Sequence, residues 1–253
     1  MTKLKIGTLS MERKGGLNQP IGDARMKAIM NVVSQHKPDL LVCAGDYFQN
    51  EQEIKQFLHE EIFKECRTMV VADYKHGPLY LFDHGKCLRV LATQVIGTAK
   101  EARDQSNIES FITQLSNRTF SVGGVTCSCL CCGEINFFQG RKTVQPVGGD
   151  ESIRKHFNSV QLIVNPTHDR MGNCGTLNAK RAYLSQKSNG RKRCYVSASN
   201  WDIQKKTVKG RYIKQTKNSN TLHTVYVSGE KTSMERVKLD CPFIEYREVM
   251  VNL

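Results

Sequence analysis

The residues of this chain best equipped for chemistry are Cys131, Cys132, Gly133 and Glu134. They lie within the run 125–138, VTCSCLCCGEINFF, which opens after Gly123 and Gly124 and gives way to polar sequence beyond. So apolar and β-favouring a run predicts a buried strand. A thiol and a carboxylate then stand at its carboxyl end, where α/β folds place their chemistry. A thiolate there is a nucleophile able to form a covalent intermediate that water then cleaves. The sulfur needs nearby positive charge or a base. The backbone N–H that follows Cys132 is a natural oxyanion donor, and Gly133 leaves it accessible.

The other cysteines fit structural roles. Cys127, Cys129 and Cys131 alternate along one strand face and read as small buried hydrophobes. Cys129 and Cys132 form a CxxC. A strand points them to opposite faces, and no second CxxC or HxxxH pair accompanies them, which argues against structural zinc. Ten cysteines in 253 residues whose N-terminus lacks an apolar signal region suggest reduced thiols and a cytoplasmic protein. No apolar run is long enough to span a membrane.

The elements that must carry these residues alternate. Strands are expected at 4–9, 40–43, 68–72, 79–83, 88–96, 161–164 and 194–199. Helices are expected at 23–36, 51–65, 106–117, 152–158 and 179–187, from apolar residues at helical spacing. Strands separated by helices through the first 200 residues predict an α/β architecture with helices outside buried sheet. From residue 208 onward the pattern is β-like, with Gly turns at Gly210 and Gly229.

In order and spacing the chain resembles the nitrilase, or carbon–nitrogen hydrolase, superfamily. LCCGEINFF matches the family's nucleophile strand, with its Cys, one residue, then an acid. FNSVQLIVNPTH (157–168) matches the next strand. RAYLSQKSNGRKRCYVSASN (181–200) matches a helix with an Arg-Ala pair and a strand ending Ala-x-Asn. The resemblance implies an α-β-β-α sandwich, a single domain over 1–253 with a core of 1–200 and a β-rich C-terminal extension over 201–253. It implies hydrolysis of a small amide or nitrile without a cofactor, and a homo-oligomer.

Residue by residue, Cys132 falls on the nucleophile and Glu134 on the acid that helps hold the site. The family's glutamate base has no direct match. Aligned without a gap, Gly45 takes its place; with one residue inserted, Asp46 supplies a shorter carboxylate. The family lysine aligns with Gln94, and Lys100 and Lys86 are the nearest alternatives. Gly133 and Asn136 beside the nucleophile, and Thr167, His168, Asp169 and Arg170 beyond the following strand, would line the substrate pocket. His168 is also a substitute base near neutral pH.

Other function classes fit less well. The opening strand lacks the Asp-x-His of a metallophosphoesterase, and neither a GxSxG nor a nucleotide-binding glycine loop is present. The formal charge of +13 is concentrated between Lys180 and Lys217, where twelve Lys or Arg face one acid, Asp202. That segment is a solvated face or a contact surface for nucleic acid or an acidic partner. Two classes therefore stand: a thiol hydrolase built on Cys132, Asp46, Glu134 and Lys100, or a nitrilase-fold protein turned binding or regulatory module.

Overall fold

The computed structural model describes residues 2–12, 19–59, 67–74, 77–83, 87–168, 174–201 and 222–253. Strand β1 (Lys3–Met11) leads to helix α1 (Gln19–Asn31), and β2 (Leu40–Cys43) to α2 (Glu51–His59). Strands β3 (Met69–Asp73), β4 (Leu79–Asp83) and β5 (Cys87–Ala92) precede α3 (Gln105–Thr113). β6 (Thr119–Val122) and β7 (Val125–Cys129) form a hairpin closed by Gly123 and Gly124, both at positive φ, as a two-residue turn matched to strand twist requires. The short pair β8 (Phe138–Gln139) and β9 (Gln145–Pro146) precedes α4 (Glu151–Ser159). Then come β10 (Leu162–Thr167), α5 (Cys174–Ser185) and β11 (Cys194–Ser199). The C-terminal region supplies β12 (His223–Val227), β13 (Glu230–Thr232), β14 (Glu235–Val237) and β15 (Ile244–Asn252).

Two sheets stack. One runs β14-β15-β1-β2-β3-β4-β5 and the other β13-β12-β11-β10-β7-β6. Their shared interior holds Leu4, Ile6, Leu40 and Val42 against Cys127, Cys129, Leu162, Val164, Cys194 and Val196. α1, the π-helical turn Val32–His36 that continues it, and α2 cover the outer face of the first sheet, burying Ile29, Val33, Ile54 and Phe57. α3, α4 and α5 cover the second, burying Phe111, Phe157 and Leu184. The result is a single-domain α-β-β-α sandwich. The parallel strands β2, β10 and β11 are buried at every position, as strands covered on both faces must be.

The β-rich C-terminal region enters both sheets. β12 pairs with β11, and β15 pairs with β1 along its whole length, from Lys3 opposite Asn252 to Met11 opposite Ile244.

The structure departs from the expected elements in two places that bear on the site. The run from 125 leaves the sheet after Cys129: Gly133 takes φ 85° and the Glu134 carboxylate accepts the Cys131 N–H, which a strand would have donated sideways. The expected strand 88–96 also ends early, at Ala92, because Thr93 N–H goes to the Gln114 side chain and Val95 N–H to Glu134. Residues 93–97 thereby become a loop facing the carboxyl ends of β2 and β3.

Candidate active site

The carboxyl ends of strands from both sheets meet and are tied by hydrogen bonds. Gly45 N–H donates to Thr167 O at 3.0 Å. Asn200 Nδ2 donates to Gly45 O at 2.6 Å, while Asn200 Oδ1 accepts Met11 N–H at 3.0 Å. β2 and β1 of one sheet are thus fixed against β10 and β11 of the other. A cleft of about 510 Å³ opens at this junction, lined by Asp46, Asp73, Gln94, Ile96, Cys131 and His168 among others. That is room enough for a small molecule.

His168 follows β10 directly, and its ring lies over Gly45. A Cβ on Gly45 would stand 2.4 Å from His168 Cδ2 and 2.9 Å from its backbone N, closer than carbon atoms approach. Only glycine leaves room for the ring. Two carboxylates reach it from the first sheet: Asp46 Oδ1 is 3.2 Å and Asp73 Oδ2 3.4 Å from His168 Nε2. Asp46 sits at φ 58°, a left-handed conformation that costs energy outside glycine, and its N–H donates to Asp73 Oδ1 at 2.6 Å. The second Asp73 oxygen is therefore left for the imidazole.

Cys132 completes the group. It is half-buried, and its thiol is within side-chain hydrogen-bonding reach of the His168 ring. Burial works against a charged imidazole here. The hydrogen bonds with Asp73 and Cys132 and their negative charge outweigh it, raising the ring's pKa to about 11. Asp73 moves upward too, because its burial exceeds the opposing pull of His168. The neighbouring Cys131 faces the inter-sheet core, and burial pushes its thiol well up. Of the paired cysteines, Cys131 borders the cleft but is nearly sealed in the core, and Cys132 is the more exposed thiol.

Glu134 lies on the other side of the Cys132 turn and is fully buried. Arg118 grips it with two bonds, Nη1 to Oε2 at 2.6 Å and Nη2 to Oε1 at 3.0 Å. The same carboxylate accepts Cys131 N–H at 2.7 Å and Val95 N–H at 2.9 Å. With each oxygen held by the guanidinium and a backbone N–H, Glu134 positions the turn and the loop 93–97 and has no route to a substrate. Gly133 lets these two segments touch: a Cβ there would stand 2.6 Å from Gly97 O and 2.8 Å from Gly97 Cα.

The remaining expected residues fall in different places. Gln94, aligned with the family lysine, lines the cleft as a neutral amide, its Nε2 donating to Ile96 O at 3.1 Å. Lys100 is exposed in the turn before the short helix Glu101–Arg103 and lines no part of the cleft. Asn136 is half-buried, its Oδ1 accepting from Lys180 Nζ at 2.8 Å. Thr167 is sealed between strands, its hydroxyl donating to Ala198 O and paired with Ser199 Oγ. Asp169 and Arg170 lie outside the described residues. Sequence reasoning missed Asp73 and Arg118 and took Gly45 for the loss of a base. The one available signal was that Gly45 and His168 both follow apolar strands directly.

The basic segment 180–217 is described only as far as 201. Within it Lys180, Arg181 and Arg193 are buried, while Lys187, Arg191 and Lys192 are exposed. Arg193 binds the carbonyls of Phe157 and Val160 at the end of α4. Half of the described basic residues are therefore spent inside the fold. Among the described residues, no three or more His, Cys, Asp or Glu are grouped to hold a metal ion, and no helix is long and apolar enough to cross a membrane.

No protein-family model matches the sequence, and no curated protein matches it. Solved structures do match the fold. A variant of the Nesterenkonia sp. AN1 amidase in complex with butyramide aligns with a TM-score of 0.57 at 12% identity, over 97% of this chain and 90% of that one. A CN-hydrolase superfamily protein from Xanthomonas campestris, with an arsenic adduct in its active site, aligns at 0.54 and 9%, over 98% and 91%. A carbon–nitrogen hydrolase from Helicobacter pylori G27 aligns at 0.53 and 10%, over 97% and 88%. The fold of this chain is that of the nitrilase superfamily, along nearly its whole length.

Proposed function

We propose that this chain is a divergent nitrilase-superfamily hydrolase that cleaves the carbon–nitrogen bond of a small amide or nitrile through Cys132. One observation carries the reading: the half-buried Cys132 sulfur, beside the inter-sheet cleft, acts on an ionisable ring flanked by two carboxylates. Structures of the same fold support it. One is an amidase with butyramide bound, and another is an amidase variant carrying the acetamide moiety of fluoroacetamide on its active-site cysteine.

The reaction runs in two halves. The sulfur attacks the substrate carbon, and the developing oxyanion meets the Gly133 N–H, with the Gln94 amide as a second donor. The nitrogen leaves, and water then cleaves the thioester. Gln94 supplies a hydrogen bond where the family carries a cation, so turnover should be slow. A homo-oligomer belongs to the same proposal and is tested by sedimentation.

The test is ammonia release from a panel of short aliphatic amides and nitriles. We expect steady release that Cys132→Ala abolishes and Cys131→Ala retains. Release from no compound in the panel, with Cys132 alkylated no faster than the other cysteines, would overturn the reading.

A further inference from the structure

We propose that His168 is the acid–base partner of Cys132, occupying the space that Gly45 leaves by having no side chain, with Asp73 and Asp46 as positioning residues for its ring. The proposal deepens the hydrolase reading and rests on it for the fate of the leaving group. The sulfur–imidazole pair itself stands apart from that reading.

Three independent features of the structure converge on the ring. The first is steric. Gly45 lies two residues past the end of β2, where the family resemblance would place a carboxylate base, and any side chain there would overlap His168 Cδ2. The loop after β10 thus delivers a titratable ring into the position that the loop after β2 has vacated. The second is the carboxylate pair. Asp73 accepts the Asp46 N–H with one oxygen and approaches the imidazole with the other, while Asp46 adopts a strained left-handed backbone that brings its own carboxylate to the ring. Strain of that kind persists only where the surroundings over-determine it, and it clusters at functional sites. The third is the neighbouring sulfur, since the half-buried Cys132 thiol is one of the groups acting on the same ring.

The groups facing the imidazole are Asp46 after β2, Asp73 at the end of β3 and Cys132 after β7; Gln94 in the loop after β5 is neutral. Hydrogen bonding to two of these groups raises the ring's pKa to about 11, against the effect of burial. In the proposed pair the proton rests on His168, which begins the cycle as an acid. The sulfur forms its bond to the carbonyl carbon. As the C–N bond breaks, the His168 proton passes to the departing nitrogen, which leaves as amine. The neutral ring then takes a proton from water as the new C–O bond forms. The S–C bond breaks, and thiolate and imidazolium return. Atoms and protons balance over the cycle as amide plus water to acid plus amine.

The test is the pH dependence of Cys132 alkylation by iodoacetamide, followed by peptide mass spectrometry and independent of any substrate. The wild type should label Cys132 at pH 6 nearly as fast as at pH 8. His168→Gln should slow labelling at pH 6 by roughly 10- to 100-fold, the behaviour of an ordinary thiol. Gly45→Ala keeps every titratable group and serves as the second variant. It should produce the same loss by displacing the ring, with far-UV circular dichroism unchanged. Asp46→Asn should keep most of the acid-range labelling. An unchanged profile in both His168→Gln and Gly45→Ala would overturn the proposal, as would collapse in Asp46→Asn alone. If the labelling profile follows the expectation but no amide turns over, the pair stands and the hydrolase reading falls.

Discussion

Two ionic clusters bracket the turn at Cys132, built from nearly the same chemistry and put to opposite use. Arg118 and Glu134 are both fully buried, and each Glu134 oxygen is held by the guanidinium and a backbone N–H. His168, Asp46 and Asp73 keep side-chain exposures of 28%, 10% and 13%, enough to meet a ligand. A carboxylate with every bond committed inside the fold is a fastener. One that faces a ring at an open cleft wall is placed to orient that ring. Residue type decides neither case; exposure and unfilled bonding capacity do.

The widest gap between the two clusters should appear when each is broken. Arg118→Met leaves the Glu134 charge buried without its partner and should cost about 3–5 kcal/mol, seen as a large fall in the thermal midpoint. Replacing both partners, Arg118→Met with Glu134→Leu, should cost less than the single change, because no orphan charge remains. His168→Gln should do the reverse of Arg118→Met. Its midpoint near pH 9, where part of the imidazolium's contribution is already lost, should fall less than that of Arg118→Met, while amide turnover should fall by about 10²–10⁴-fold. Equal stability losses in Arg118→Met and His168→Gln would erase the distinction drawn between the clusters.

A pH series sharpens the same contrast. The folded-state pKa of His168, about 11, lies above its ordinary value of 6.5. Its contribution to stability is therefore complete below pH 6.5 and is lost as pH climbs towards 11. The gap in denaturant midpoint between wild type and His168→Gln should shrink over that interval, whereas the gap for Arg118→Met should hold. The smallest effect is expected at Lys180, whose pKa burial lowers to about 8 from 10.5. Stability should rise slightly between those values as the unfolded chain gives up its extra proton. Lys180→Met should remove that rise and otherwise shift stability by about 1 kcal/mol or less.

Much of the architecture was legible because it follows from local patterning. The alternating strands and helices, the buried parallel β10 and β11, and the thiols of Cys127 and Cys129 facing the core all follow from periodicity. The position of Cys132 beyond a strand end was equally plain. Asp46 and His168 were named as candidates, but their grouping with Asp73 was not legible, since the three come from separate strand ends brought together by pairing across two sheets. Asp73 looks like any acid closing a strand, and Arg118 like any surface arginine before one. Gly45 was the hardest to interpret. A missing side chain carries no chemistry in a sequence, and its meaning appears only when the His168 ring is found in the space it leaves.

The seating of β15 also shapes how the molecule is made. It pairs with β1 at every position from Lys3 to Met11, and the backbones of Thr2 and Leu253 exchange hydrogen bonds. Without β15 in place, β1 presents an unpaired edge of the kind that recruits foreign strands. Any truncation that removes β15 would keep the newborn protein permanently in that sticky condition.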